Sequence, residues 1–110
     1  IHDVNTVDND GGTALMIAAC FNQLDVVISL MNHPGIDLNV QDRSLNPYSN
    51  YTALHEAVRN NHPAIVSQLL SDDKMDASLK GDYNRTALKL AIDRGHAECV
   101  TILRQHGAPE

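Results

Sequence analysis

Apolar positions in this chain come in short bursts at helical spacing, and the bursts repeat. Leu15, Ala18 and Ala19 share an i, i+3, i+4 face, and Val26, Val27, Leu30 and Met31 form a second group after a polar break. The same two-part pattern returns as Leu54, Ala57 and Val58 followed by Ile65, Val66, Leu69 and Leu70. It returns again as Leu88, Ala91 and Ile92 followed by Val100, Ile102 and Leu103. Thr13, Thr52 or Thr86 opens each first burst, always within the triplet Thr-Ala-Leu. A threonine hydroxyl there can cap a helix by accepting a hydrogen bond from its first turn. Asn22, Asn61 and Gly95 close the first bursts, and these residue types tolerate the left-handed backbone that ends a helix. Pro63 stands at the first turn of a second helix, where its missing N–H costs nothing. The pattern predicts three pairs of short helices.

The threonine triplets recur every ~34 to 39 residues, a period that marks a stacked-repeat architecture. In such a stack each unit buries its apolar face only against its neighbours. Function then belongs to a surface running across the units. The segments between helix pairs are rich in Asp, Asn, Gly and Ser, as turns require. Asp3-Val4-Asn5 holds the same offset as Asp37-Leu38-Asn39, so the chain is expected to open inside the connecting segment of an earlier unit. The expected organisation is one domain over 1–110. Residues 1–12 end a preceding partial repeat, 13–41 form the first repeat, 42–80 the second with an extended finger, and 81–110 the third. The middle unit, flanked on both sides, is expected to unravel last, while Ile102, Leu103 and the two ends are expected to expose apolar surface.

Apolar residues make up 43% of the 110 positions but aromatics only 4%, so the core must be aliphatic. Formal net charge is −6 and Lys and Arg form no stripe, which argues against a nucleic-acid partner. No apolar run approaches the ~18 residues of a membrane span. Cys20 and Cys99 suggest no disulfide framework, and an intracellular setting, cytoplasmic or nuclear, is the default expectation.

These residues resemble ankyrin repeats. Asp8, Gly11, Thr13, Leu15, Ala18, Ala19, Val26, Val27, Leu30, Asp37 and Asn39 match that family's unit in the first copy. Thr52, Leu54, His55, Ala57, His62, Val66, Leu69, Leu70 and Asp76 match in the second. Thr86, Leu88, Ala91, Gly95, His96, Val100, Leu103, Gly107 and Ala108 match in the third. The resemblance implies an all-α solenoid of stacked helix-turn-helix units joined by hairpin-like loops. Ala14, Ala53 and Ala87 replace the family's proline after the capping threonine. Alanine is the best helix former, so the helices should survive. The family's inter-unit histidine is kept only at His55, with Met16 and Lys89 at the matching places, which puts its bridges in doubt in the first and third units. Extra residues around 43–50 lengthen one finger.

The resemblance also implies partner-facing positions at the finger tips, before the capping threonine and at the close of each first helix. Placed on this sequence, these give Asp10, Phe21, Tyr48, Tyr51, Arg59, Asn60, Tyr83, Arg85 and Arg94 as candidate contacts. The chain's aromatics, three Tyr and one Phe, all fall within this set. Tyr and Arg are over-represented among binding hot spots. The alternative is that a tyrosine covers a loop base or packs on the next finger. Tyr51, beside a capping threonine, has the strongest such alternative.

Other chemistries find less support. His55, His62 and His96 occupy family positions with structural roles, and His2, His33 and His106 read as exposed turn residues. Zinc needs three or four converging ligands, and neither Cys-x-x-Cys nor His-x-x-x-His occurs. Asp72-Asp73 reads as turn chemistry, and Gly11-Gly12 lacks the Lys-Ser/Thr of a phosphate loop. Cys99 sits at an apolar helix position, while Cys20 is expected to be more exposed. No catalytic residue, metal, cofactor or small-molecule substrate is assigned. The expected function is binding of a protein partner through the concave face of the array. Two other readings stay open: a targeting arm of an enzyme whose catalytic domain lies outside this segment, and a structural spacer.

Overall fold

The computed structural model describes residues 4–7, 12–41 and 50–110, apart from the side chain of Asp82. Among them are six α-helices: α1 (Ala14–Cys20), α2 (Leu24–Met31), α3 (Ala53–Arg59), α4 (Pro63–Leu70), α5 (Ala87–Arg94) and α6 (Ala97–Gln105). A short 3-10 turn, Asp82–Asn84, precedes α5. The described residues contain no strand. No described helix is long and apolar enough to cross a membrane.

Each first helix begins as its threonine dictates. The Oγ1 of Thr13, Thr52 and Thr86 accepts the backbone N–H of Met16, His55 and Lys89 at 3.2, 3.3 and 3.2 Å. Such a cap contributes roughly 1 kcal/mol. The turn to the second helix uses Asn22, Asn61 and Gly95, with φ of 59°, 56° and 71°. The next N–H folds back onto the closing helix: Gln23 to Ala18, His62 to Ala57 and His96 to Ala91, at 2.9, 2.8 and 3.0 Å. This closure satisfies a carbonyl that helix termination would otherwise orphan.

The pairs stack in register. First helices pack α1 on α3 on α5, and second helices α2 on α4 on α6. Small residues lie at the tight crossings, since Ala19, Ala57 and Ala91 are all 0% exposed. Leu15, Leu54, Ile65, Val66, Leu69, Leu88 and Leu103 fill the rest of a core that contains no Phe or Trp. One expectation needs correction: Leu103 is fully buried, because α6 turns it onto α4. Val26, an apolar position of the first unit, is exposed because the side it faces carries no helix among the described residues. Leu90, which the repeated spacing did not single out, is fully buried.

Side chains tie the units together at fixed offsets. The Nε2 of His62 reaches the Cys20 carbonyl at 2.9 Å, and that of His96 reaches the Arg59 carbonyl at 3.4 Å. Each ring thereby satisfies an open carbonyl at the end of the preceding unit's first helix. His55 does two jobs. Its Nδ1 accepts the Thr52 N–H at 3.3 Å, completing a capping box, so Nε2 carries the proton and donates to the Arg85 carbonyl at 3.1 Å. At the matching place Met16 is buried apolar filling, while Lys89 is exposed and pairs with Asp93 at 3.3 Å. An asparagine ladder runs along the connectors. Asn39 donates to the Lys74 carbonyl and accepts the Asp76 N–H, both at 2.8 Å, and Asn5 does the same with Gly35 and Asp37 at 2.8 and 2.7 Å. Asp76 in turn accepts the Ser78 backbone and hydroxyl, and these bonds hold its carboxyl below the usual range.

Candidate interaction surface

The closing residues of the first helices form two rows across the stack. Cys20, Arg59 and Asp93 make one row, and Phe21, Asn60 and Arg94 make the other, because each trio holds the same offset from its capping threonine. The connector residues Tyr51, Tyr83 and Arg85 flank these rows. The rows differ sharply in how much they offer to solvent.

Phe21 caps α1 and is 69% exposed. A phenyl ring so placed adds nothing to the core. Asn60 is half-buried; its amide donates to the Glu56 carbonyl at 2.8 Å and to Cys20 Sγ at 3.5 Å, which fixes it between two units. Arg94 closes the row and is exposed.

Arg59 is held by its surroundings. Its guanidinium donates to Glu56 at 3.1 Å and lies 5.4 Å from the centre of the Tyr51 ring. Burial works against its charge, but the Glu56 charge and hydrogen bond outweigh that and raise its pKa. The same Glu56 acts oppositely on Cys20. Burial first, then Glu56, pushes that thiol up, so it is held in the less reactive protonated form. Cys99 is buried, and its pKa is raised by burial and by Glu98.

The loop before α5 is built differently. Gly81 N–H donates to the Arg85 carbonyl at 2.8 Å, closing a hairpin-like loop. Within it Tyr83 and Asn84 take left-handed backbone, with φ of 52° and 58°. That conformation is uncommon for a bulky residue, and it turns the Tyr83 ring outward to 71% exposure. Arg85 lies 5.3 Å from the ring centre and bonds Asp93 at 3.3 Å. Desolvation works to raise the Asp93 pKa, but hydrogen bonds and charge from Lys89 and Arg85 together prevail and lower it.

Tyr51 is corrected from a finger contact to a structural residue. It is 8% exposed, its ring lies 5.7 Å from that of His55, and Gly81 closes over both. A Cβ at Gly81 would sit 3.0 Å from the tyrosine ring and 3.1 Å from the imidazole. Asp10 and Tyr48 lie outside the described residues. The structure thus places Phe21, Tyr83 and Arg94 at the surface, Arg59, Asn60 and Arg85 half-buried beside them, and Tyr51 beneath. No group of three or more His, Cys, Asp or Glu among the described residues converges to hold a metal.

The description "ankyrin repeats (3 copies)" matches residues 1–42 and 41–109. This chain belongs to the ankyrin-repeat family. It is 37% identical over 100 residues to the bovine (Bos taurus) SMC5-SMC6 complex localization factor protein 1, covering 90% of this chain and 9% of that protein. It is 42% identical over 77 residues to BTB/POZ domain-containing protein 1 of Schizosaccharomyces pombe, covering 70% of this chain and 5% of that one. Mouse (Mus musculus) palmitoyltransferase ZDHHC13 is 38% identical over 74 residues, covering 67% of this chain and 11% of that enzyme. The chain therefore spans about a tenth or less of the curated relatives it matches. Ankyrin repeats are in general protein-interaction modules, and this chain is built of such repeats.

Proposed function

We propose that this array binds a protein partner through its concave face, the surface of connectors and first helices on which Phe21, Tyr83 and Arg94 stand. The observation that carries the reading is the position of two aromatic rings, Phe21 and Tyr83, 69% and 71% exposed in a chain with only four aromatics. Interface cores favour aromatic and Arg side chains, since these bring large contact areas at modest entropic cost. Arg59 and Arg85 support the surface from below; their salt bridges to Glu56 and Asp93 pre-order it. Arg94, exposed at the end of the outer row, is suited to an acidic group on the partner. An intracellular setting, cytoplasmic or nuclear, is part of this reading, as are the repeat boundaries 13–41, 42–80 and 81–110 and partner contacts by Asp10 and Tyr48.

The experiment is affinity capture by the full chain, mass spectrometry of what is held, and calorimetry of the identified complex. Tyr83→Ala together with Arg94→Ala should weaken binding by ~1–4 kcal/mol with far-ultraviolet circular dichroism unchanged. Equal affinity for parent and variant removes the concave-face assignment. A second reading is favoured by one comparison: the matching repeats of mouse ZDHHC13 belong to a protein named as a palmitoyltransferase. On that reading the array is the arm that brings a substrate protein to an enzyme outside this segment. Capture of a protein that the full-length enzyme then modifies would favour it.

A further inference from the structure

Charge is spread unevenly over this molecule. The first helices, with Arg85 just ahead of α5, carry the cations Arg59, Arg85, Lys89 and Arg94 against the anions Glu56 and Asp93. The other described side chains carry three cations against seven carboxylates. The described concave side is therefore cationic on a chain whose formal net charge is −6. Its charges stand on α3, α5 and the connector before α5, because α1 holds none. Long-range attraction draws an acidic segment to this side and a basic one to the others.

The row of Phe21, Asn60 and Arg94 runs along this gradient. Phe21 offers an apolar ring at one end, 69% exposed. Arg94 offers at the other end an exposed guanidinium that makes no ion pair among the described residues, while Asp93 beside it is held by Arg85 and Lys89, each at 3.3 Å. Asn60 between them is fixed. Its Nδ2 donates to the Glu56 carbonyl at 2.8 Å and to Cys20 Sγ at 3.5 Å, which uses both amide hydrogens and leaves Oδ1 as the free group. No described residue donates to that oxygen. Arg59 alongside is held by Glu56 and the Tyr51 ring. The floor of the row is thus ordered before anything binds, which lowers the entropic cost of docking.

The row also selects the shape of its occupant. Its three positions stand on successive first helices, and packed helices lie ~8–10 Å apart, so the row spans roughly 16–20 Å. An extended chain covers that length with about five or six residues at ~3.3 Å each. A lone amide acceptor between a ring and a cation suits a chain with free main-chain N–H groups, which a helix would use internally.

We propose that the occupant of this row is one extended acidic peptide segment of the partner. An apolar side chain of that segment lies on Phe21, a carboxylate about five or six residues away pairs with Arg94, and a main-chain N–H between them donates to Asn60 Oδ1. The inference rests on the concave-face reading and adds the chemistry of what binds there.

The test offers the full chain a library of random peptides about twelve residues long, ample for a row that about six extended residues span. Retained peptides should share an apolar residue and an Asp or Glu about five or six positions apart. Arg94→Glu should switch the choice at the acidic position to Lys or Arg. Phe21→Ser should erase the apolar preference and keep the acid. Asn60→Ala should weaken retained peptides at least about fivefold without changing either preference. N-methylation of their central residues, one at a time, should find a position that costs as much, and there Asn60→Ala should cost nothing further. Retained peptides that are basic, or that lack a fixed spacing, overturn the proposal, and so does a library that yields none. If a captured protein partner still loses affinity with Phe21→Ser or Arg94→Glu in that case, the concave-face reading stands and only the acidic segment falls. Retained peptides indifferent to all three variants remove both.

Discussion

The connector ahead of α3 and the connector ahead of α5 each hold a tyrosine with an arginine over its ring, at 5.4 and 5.3 Å, yet one ring is part of the core and the other stands in solvent. Tyr51 is adjacent to its capping threonine in extended chain, so its ring drops between two connectors and meets Gly81 and His55. Tyr83 sits three residues ahead of its threonine on left-handed backbone, which sends the ring outward. The contact chemistry is shared and only the backbone differs. An Arg–Tyr stack therefore says nothing by itself about whether a site is structural or functional.

The largest expected effect separates the two rings outright. Tyr51→Ala should cost ~3–5 kcal/mol in urea unfolding, in the range of truncating a buried aromatic, while Tyr83→Ala should stay within ~0.5 kcal/mol. Comparable losses from the two would erase the distinction. Gly81→Ala comes next. Its Cβ would press on the Tyr51 ring at 3.0 Å and the His55 ring at 3.1 Å, for a cost of about 1–3 kcal/mol by overpacking. Combining it with Tyr51→Ala should recover part of that loss, since the space the Cβ needs is then vacant.

The smallest effect concerns the exposed connector. The Asp93 carboxyl is held low by Lys89 and Arg85, so its contribution is present above the ordinary carboxylate range and disappears as pH falls through its lowered value. Asp93→Asn should therefore lower the urea midpoint slightly at pH 7 and make no difference in strong acid. A gap that widened toward low pH would contradict the assigned ion pairs.

Much of this organisation was readable from residue types. The capping threonines and the closing Asn22, Asn61 and Gly95 follow from local chemistry that a side chain carries with it, whereas the structural role of His62 and His96 was legible through the family resemblance, since each bonds a carbonyl of another unit. Phe21 and Tyr83 stood out because aliphatic packing had no use for them. Tyr51 could not be separated from Tyr83 by composition, because its burial depends on Gly81, which is 30 positions away in the chain. Val26 and Cys99 share one offset, yet only one of them is covered. Nothing in either residue announces whether a neighbouring unit is there.

What the chain determines alone is therefore the unit: where each helix starts, where it ends and which stripe is apolar. These depend on interactions spanning a few residues, and local sequence encodes them directly. Which apolar and aromatic side chains are sealed and which remain in water was decided only by stacking. Burial belongs to pairs of surfaces, and in a repeat array the second surface comes from another unit.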